Sequence, residues 1–196
     1  SIVTSFILPR LSTGEVNMDE GKIGMISIGM SNTSQEFDGG PQTFVPRMNA
    51  DPAKNPRLVI VNGAQGGKAA DSWADPNGSP WGVLAGRLTT AGLTALQVQV
   101  AWIKQAEKQP GVQLGAFPLH AEVLRDDLRA IAQNLRTKYP NVRIAYLSSR
   151  TRAYTDDPSG LNPEPFAFES GFSVRWQLEE QLAGDPALDY DPQTGV

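Results

Sequence analysis

The 196-residue sequence contains no cysteine and a single histidine, His120. The first absence excludes disulfide frameworks and thiolate metal sites, and leaves redox compartment unreadable. The second bears on catalysis, because histidine is the side chain most often used as a general base near neutral pH. No Asp-x-x-His block occurs at any position. Long apolar runs are missing too; none approaches the roughly 20 residues that span a bilayer, so no direct membrane insertion is expected. Charge of one sign is not in excess. Lys and Arg number 17 against 21 Asp and Glu, a formal net charge of −4. That balance gives no electrostatic ground for nucleic acid as a partner. Internal repeats and low-complexity tracts are absent as well.

What is present is the composition of an ordinary globular domain, 40% apolar and 19% charged. The length suits one domain with a sizeable core. Residue 1 is Ser rather than Met. An N-terminal segment removed by processing would account for that, and a lost signal peptide would place the protein in the periplasm or outside the cell.

Residues 1–21 read as an N-terminal arm: apolar Ile2, Val3, Phe6, Ile7 and Leu8, then a polar stretch through Pro9 and Gly14. From residue 22 the pattern becomes rhythmic. Stretches 22–29, 57–62, 96–102 and 141–147 are strand-like, rich in Ile and Val, and 96–102 alternates strictly. Helical patterns fall between them. Ser79-Pro80 opens one, with Trp81, Leu84 and Leu88 at helical spacing. Leu124, Leu128, Ile131 and Leu135 stripe a helix over 120–138, leaving Arg125, Arg129 and Arg136 to face water. A last helix spans 167–183 and stops at Gly184-Asp185-Pro186. Strands separated by helices predict parallel pairing in a three-layer α/β/α sandwich. Four strands are few for a doubly wound sheet, and 185–196 has little apolar pattern, so the domain over 22–196 reads as C-terminally incomplete.

In an open parallel sheet, ligands bind beyond the carboxyl ends of the strands. The first strand delivers Gly29-Met30-Ser31-Asn32 there, the second Asn62-Gly63-Ala64-Gln65-Gly66-Gly67-Lys68, and the third Lys104-Gln105-Ala106-Glu107. A serine nucleophile needs a base and donors for the developing oxyanion. Ser31, the Gly67 N–H and the Gln105 amide fit the nucleophile and two donors; the base is missing. Each has a bland counterpart: Ser31 as a helix N-cap, Gly66-Gly67 as a tight turn, Gln105 and Glu107 as loop solvation. His120 precedes the long helix and fits a helix terminus better than a base. Arg150 and Arg152 follow the fourth strand, where they would meet an anionic substrate or water. Asp185, Asp189 and Asp191 supply oxygens but lack calcium-loop spacing, so no metal site is expected.

The order of these blocks resembles the SGNH (GDSL-type) hydrolases, esterases and acyl hydrolases with a flavodoxin-like sheet. Gly29-Met30-Ser31 matches their first block. Residues 61–73 are similar to the second block of the carbohydrate acetylesterase branch, which puts the oxyanion glycine at Gly67. Trp102-Ile103-Lys104-Gln105-Ala106-Glu107 resembles a Trp-x-Gln-Gly-Glu run with one extra residue. Met30 departs from the family's Asp, and the closing Asp-x-x-His block is not found. The resemblance implies a serine esterase acting on a small ester or acylated carbohydrate without a cofactor. Ser31 would be the nucleophile, Gly67 and Gln105 the oxyanion donors, and Asn32, Asn62, Glu107 and Arg150 the substrate-facing positions. His120 is the one internal candidate for a base. Two alternatives stand beside it. One is a catalytically inactive module of the same fold serving a larger protein assembly. The other is a nucleotide or flavin binder using 31–33 as a phosphate loop, which Glu36 and Asp38 disfavour.

Overall fold

The structure, a computed structural model, describes residues 7–150 and 152–188. β1 (Ile23–Gly29), β2 (Leu58–Val61), β3 (Val98–Lys104) and β4 (Ile144–Ser148) form one sheet ordered β2-β1-β3-β4, with every neighbouring pair parallel. Helices α1 (Ser31–Asp38), α2 (Phe44–Ala50), α3 (Ala70–Ala74), α4 (Ser79–Thr90), α5 (Pro110–Gln113), α6 (Leu119–Lys138) and α7 (Phe166–Leu182) complete a three-layer α/β/α sandwich. This is the flavodoxin-like order, with its topological switch between β1 and β3.

Strand register explains which residues make the core. Ile26 lies beside Val61 and Ala101, and Ile28 beside Ile103, so these side chains share one face. There they meet Trp73 of α3, Trp81, Leu84 and Leu88 of α4, and the α6 stripe Leu124, Leu128, Ile131 and Leu135 in one buried cluster. The opposite face carries Met25, Leu58, Val100, Trp102, Ile144 and Tyr146, which line an apolar groove of about 910 Å³ with Phe37, Phe44 and Met48. Phe37 stacks on Trp102 at 5.6 Å and on Phe44 at 5.2 Å, which seats α1 and α2 over part of that face.

Two expectations change in detail. The stretch 96–102 begins as a 3₁₀ turn, Ala95–Gln97, because Thr94 and Gln97 exchange the reciprocal bonds of a capping box. The strand runs on to Lys104 instead. Its polar Gln99 is fully buried, accepting from the Leu8 N–H at 3.1 Å and donating to the Leu8 carbonyl at 2.8 Å. The alternating pattern therefore anchors the N-terminal arm and does not face water. Arg10 adds antiparallel bridges to Val16 and Lys22. Second, Arg125 and Arg129 are not merely solvated: both approach Glu180 of α7, at 3.6 and 3.2 Å, and Arg129 also pairs with Asp185. Of the acidic tail residues, Asp189 and Asp191 lie outside the described residues. Among the described residues, no helix is long and apolar enough to cross a membrane.

Candidate functional site

The site is built where β1, β2 and β3 end. Gly29 closes β1 against Thr33 and Lys104: a Cβ there would come within 2.3 Å of Thr33 Oγ1 and 2.4 Å of the Lys104 carbonyl. Only glycine lets α1 begin this close to β3, and Thr33 Oγ1 then donates to the Lys104 carbonyl at 2.8 Å. Met30 takes the N-cap position of α1 without a side-chain bond, so Ser31 is the first helical residue and not the cap. Ser31 is exposed, and no described residue hydrogen-bonds its hydroxyl. Asn32 follows on α1, half-buried.

The β2 turn comes directly beside it. Gln65 donates its N–H to the Gly29 carbonyl at 2.9 Å, and a Cβ on Gly66 would lie 3.8 Å from Ser31 Cβ. Gly67 has φ +74°, in the left-handed region, with open space where a side chain would start. The structure thus brings Ser31 and the Gly66-Gly67 turn together. The turn is braced by Arg87 and Ser27, which sequence patterns did not single out, and by the side chain of Asn62. Arg87 of α4 donates to the carbonyls of Asn62 and Ala64 at 2.8 and 3.0 Å. Ser27 Oγ accepts from the Gly63 and Ala64 N–H groups at 3.1 and 3.3 Å and donates to Asn62 Oδ1 at 2.8 Å. Asn62 Nδ2 in turn donates to Ser34 Oγ at 2.8 Å, so this side chain ties the β2 end to α1.

Past β3, Gln105 is 2% exposed, and neither its Nε2 nor its Oε1 has a hydrogen-bond partner. A buried amide without partners is costly and uncommon, and clefts that take a ligand are one place it occurs. The loop is tied back to the start of α3, where Ala70 donates its N–H to the Ala106 carbonyl at 3.3 Å. Glu107 is 7% exposed. Its Oε1 has no hydrogen-bond partner, and burial, with the acidic Asp127 and Asp71 nearby, pushes its carboxyl up to about 8.

The remaining expected positions lie elsewhere. His120 sits buried in the first turn of α6 with Nε2 2.7 Å from Glu169 Oε2 and its ring edge-on to Phe166. It makes no hydrogen bond with Ser31. Arg150, half-buried after β4, lends its carbonyl to Ser170 Oγ at 3.2 Å. Arg152 lies over the ring of exposed Tyr154. Among the described residues, no group of three or more His, Asp or Glu side chains is placed to hold a metal ion. Neither known protein-family models nor curated proteins match the chain.

Proposed function

We propose that this chain is the nucleophile-bearing part of an SGNH-type serine esterase that deacylates a small ester or an acylated carbohydrate. The observation that carries the reading is the juxtaposition of an unpartnered Ser31 hydroxyl with the Gly66-Gly67 turn at the carboxyl ends of β1 and β2. In this reading, Ser31 Oγ attacks the ester carbonyl carbon, and its proton passes to a base. The oxyanion is held by backbone N–H groups at Ser31 and Gly67 and by the Gln105 amide. The alcohol leaves with a proton from that base, and water then releases the acid. The base lies outside residues 1–196, since the single histidine is engaged by Glu169. That same engagement favours the second reading, a non-catalytic module working within a larger assembly.

The test is hydrolysis of a small acetyl ester, compared for residues 1–196, the Ser31→Ala variant and a form extended beyond Val196. The 196 residues should show little turnover, because a serine without a base is a poor nucleophile. An active extended form that loses at least ~1,000-fold with Ser31→Ala supports the esterase. Turnover that survives Ser31→Ala refutes it. Strong Ser31-dependent turnover by residues 1–196 alone would refute the external base and make His120→Ala the next variant. An extended form carrying Asp-x-x-His that remains inactive would favour the module.

A further inference from the structure

Asn62 follows β2 directly, half-buried, and its side chain lies where the two halves of the candidate site meet. An amide has two acceptor and two donor positions. Oδ1 accepts from Ser27 Oγ at 2.8 Å and from the Ala64 N–H at 3.2 Å. Nδ2 donates to Ser34 Oγ at 2.8 Å and makes a longer bond to the Ser34 carbonyl at 3.4 Å. A backbone N–H can only donate, so Ala64 fixes the oxygen on the turn side and the nitrogen on the α1 side. All four positions are filled from within the protein. That occupancy points away from the substrate contact expected of Asn62 and toward a role in the frame.

We propose that Asn62 is a positioning residue that sets the separation between Ser31 and the Gly66-Gly67 turn. The inference rests on the reading of Ser31 and that turn as one site. Ser34 lies about one helical turn after Ser31, so α1 transmits any restraint on Ser34 to Ser31. The helix has no side-chain cap of its own, because Met30 occupies that position. Thr33 bonds the Lys104 carbonyl and Glu36 pairs with the Lys104 side chain, and both of these ties run to β3. Asn62 supplies the tie toward β2, where the turn lies.

The other end of this tie is stiff. Ser27 is fully buried in β1 and also receives the Gly63 N–H, while Arg87 holds the carbonyls of Asn62 and Ala64. One amide therefore spans a braced turn and a lightly seated helix. Without it, α1 keeps its ties to β3 and is free to draw away from the turn, opening the gap across which a Cβ on Gly66 would lie 3.8 Å from Ser31 Cβ.

The chain has no cysteine, so an introduced disulfide can measure that gap. Ser31→Cys with Gly66→Cys sets two thiols across it, and 3.8 Å between β-carbons matches the usual span of a disulfide. Gly66, unlike Gly67, is not at positive φ, so a side chain is tolerated there. In residues 1–196, closure of the pair is titrated against a glutathione redox buffer at fixed pH, with folding checked by circular dichroism. The pair should close with Asn62 in place. Asn62→Ala and Ser34→Ala cut the tie from opposite ends, and each should lower the closure constant at least ~tenfold as the effective thiol concentration falls. Asn62→Asp should stay within ~threefold of the parent, because Ser27, Ala64 and Ser34 can all donate to a carboxylate. Ser34→Ala changes only a half-buried helix position and carries the test if Asn62→Ala fails to fold. A pair that does not close with Asn62 in place, closure unchanged in the alanine variants, or a loss in Asn62→Asp as large as in Asn62→Ala would overturn the proposal. The measurement uses neither ester nor base, so it succeeds or fails separately from the hydrolysis test.

Discussion

The two faces of the sheet are built differently, and the candidate site straddles them. On one face Ile26, Ile28, Ala101 and Ile103 are sealed at 0% exposure beneath α3, α4 and α6. On the other, Met25, Val100 and Trp102 are only half-buried and Tyr146 is 55% exposed, with α1 and α2 covering part of the surface. Parallel sheets normally hide both faces, and an apolar groove of this size is more than scattered surface hydrophobics. The Gly66-Gly67 turn belongs to the sealed side, braced by Arg87 of α4. Ser31 belongs to the thin side, since its helix is seated through Phe37 on Trp102. One half of the site is therefore as rigid as the core. The other depends on a lighter layer, and damage to that layer should move Ser31 relative to Gly67 before it unfolds the protein.

The comparison breaks most readily on the sealed side. Leu128 is 1% exposed at the centre of the α6 stripe. Leu128→Ala should cost about 2–5 kcal/mol, because the rigid surroundings cannot collapse into the cavity. Urea unfolding at neutral pH measures it; a loss below about 1 kcal/mol would mean that the sealed face is no better packed than the open one.

Next in size is a pH effect from the Glu107 carboxyl. Its folded value, about 8, lies above its ordinary 4.5. Between those values the folded chain binds a proton that the unfolded chain has released. Stability from this group is thus full below about 4.5 and is lost as pH rises toward 8. The slope approaches about 1.4 kcal/mol per pH unit, and a total on the order of 3 kcal/mol is expected between pH 5 and 8. Half-buried Asp127, also raised, works in the same direction. Urea midpoints at the two pH values should differ in the wild type and converge in Glu107→Gln; identical slopes in both would remove Glu107 as the source.

The open face should respond more weakly. Val100 is half-buried in the groove, so Val100→Ala loses less apolar burial and leaves no closed cavity. About 1 kcal/mol is expected. A cost equal to that of Leu128→Ala would show that the groove is filled in solution.

The sealed face was the part most legible in the sequence. Strand-length apolar runs and the Leu124-to-Leu135 stripe carry their own periodicity, so four parallel strands and the long helices could be read directly. Helix α1 was not, because its N-cap is Met30, which gives no capping signal. Short α2 carries Pro46 and no side-chain cap. For the candidate site, Gly29, Ser31 and Gly67 stand out because they follow apolar runs that mark the ends of β1 and β2. Arg87 and Asp127 do not. Their partners lie 25 residues away at Asn62 and, for Asp127, at Glu107 on the other side of α5. Nothing local marks an arginine that will cap two carbonyls or an aspartate that will meet a second acid.

The smallest expected effect tests how α1 is held on the thin layer. Lys104 Nζ reaches Glu36 Oε1 at 2.5 Å, joining the end of β3 to the middle of α1. The lysine side chain is 12% exposed and the glutamate 52%. Water therefore screens one partner, and the pair should be worth less than about 1 kcal/mol. Glu36→Gln removes the charge and nearly preserves the shape. It should lower stability by a few tenths of a kcal/mol at low ionic strength, and by nothing measurable at ~0.5 M salt, where the screening length falls to a few ångströms. Thr33, which binds the Lys104 carbonyl, holds the same two elements through a neutral hydrogen bond that salt does not weaken. Thr33→Val should therefore destabilise the protein equally at both ionic strengths. If Glu36→Gln matched Thr33→Val in both size and salt independence, Glu36 would be acting through packing and not through its charge. The thin layer would then be held by contacts and neutral hydrogen bonds alone, and Ser31 would owe its position to Phe37, Thr33 and Asn62.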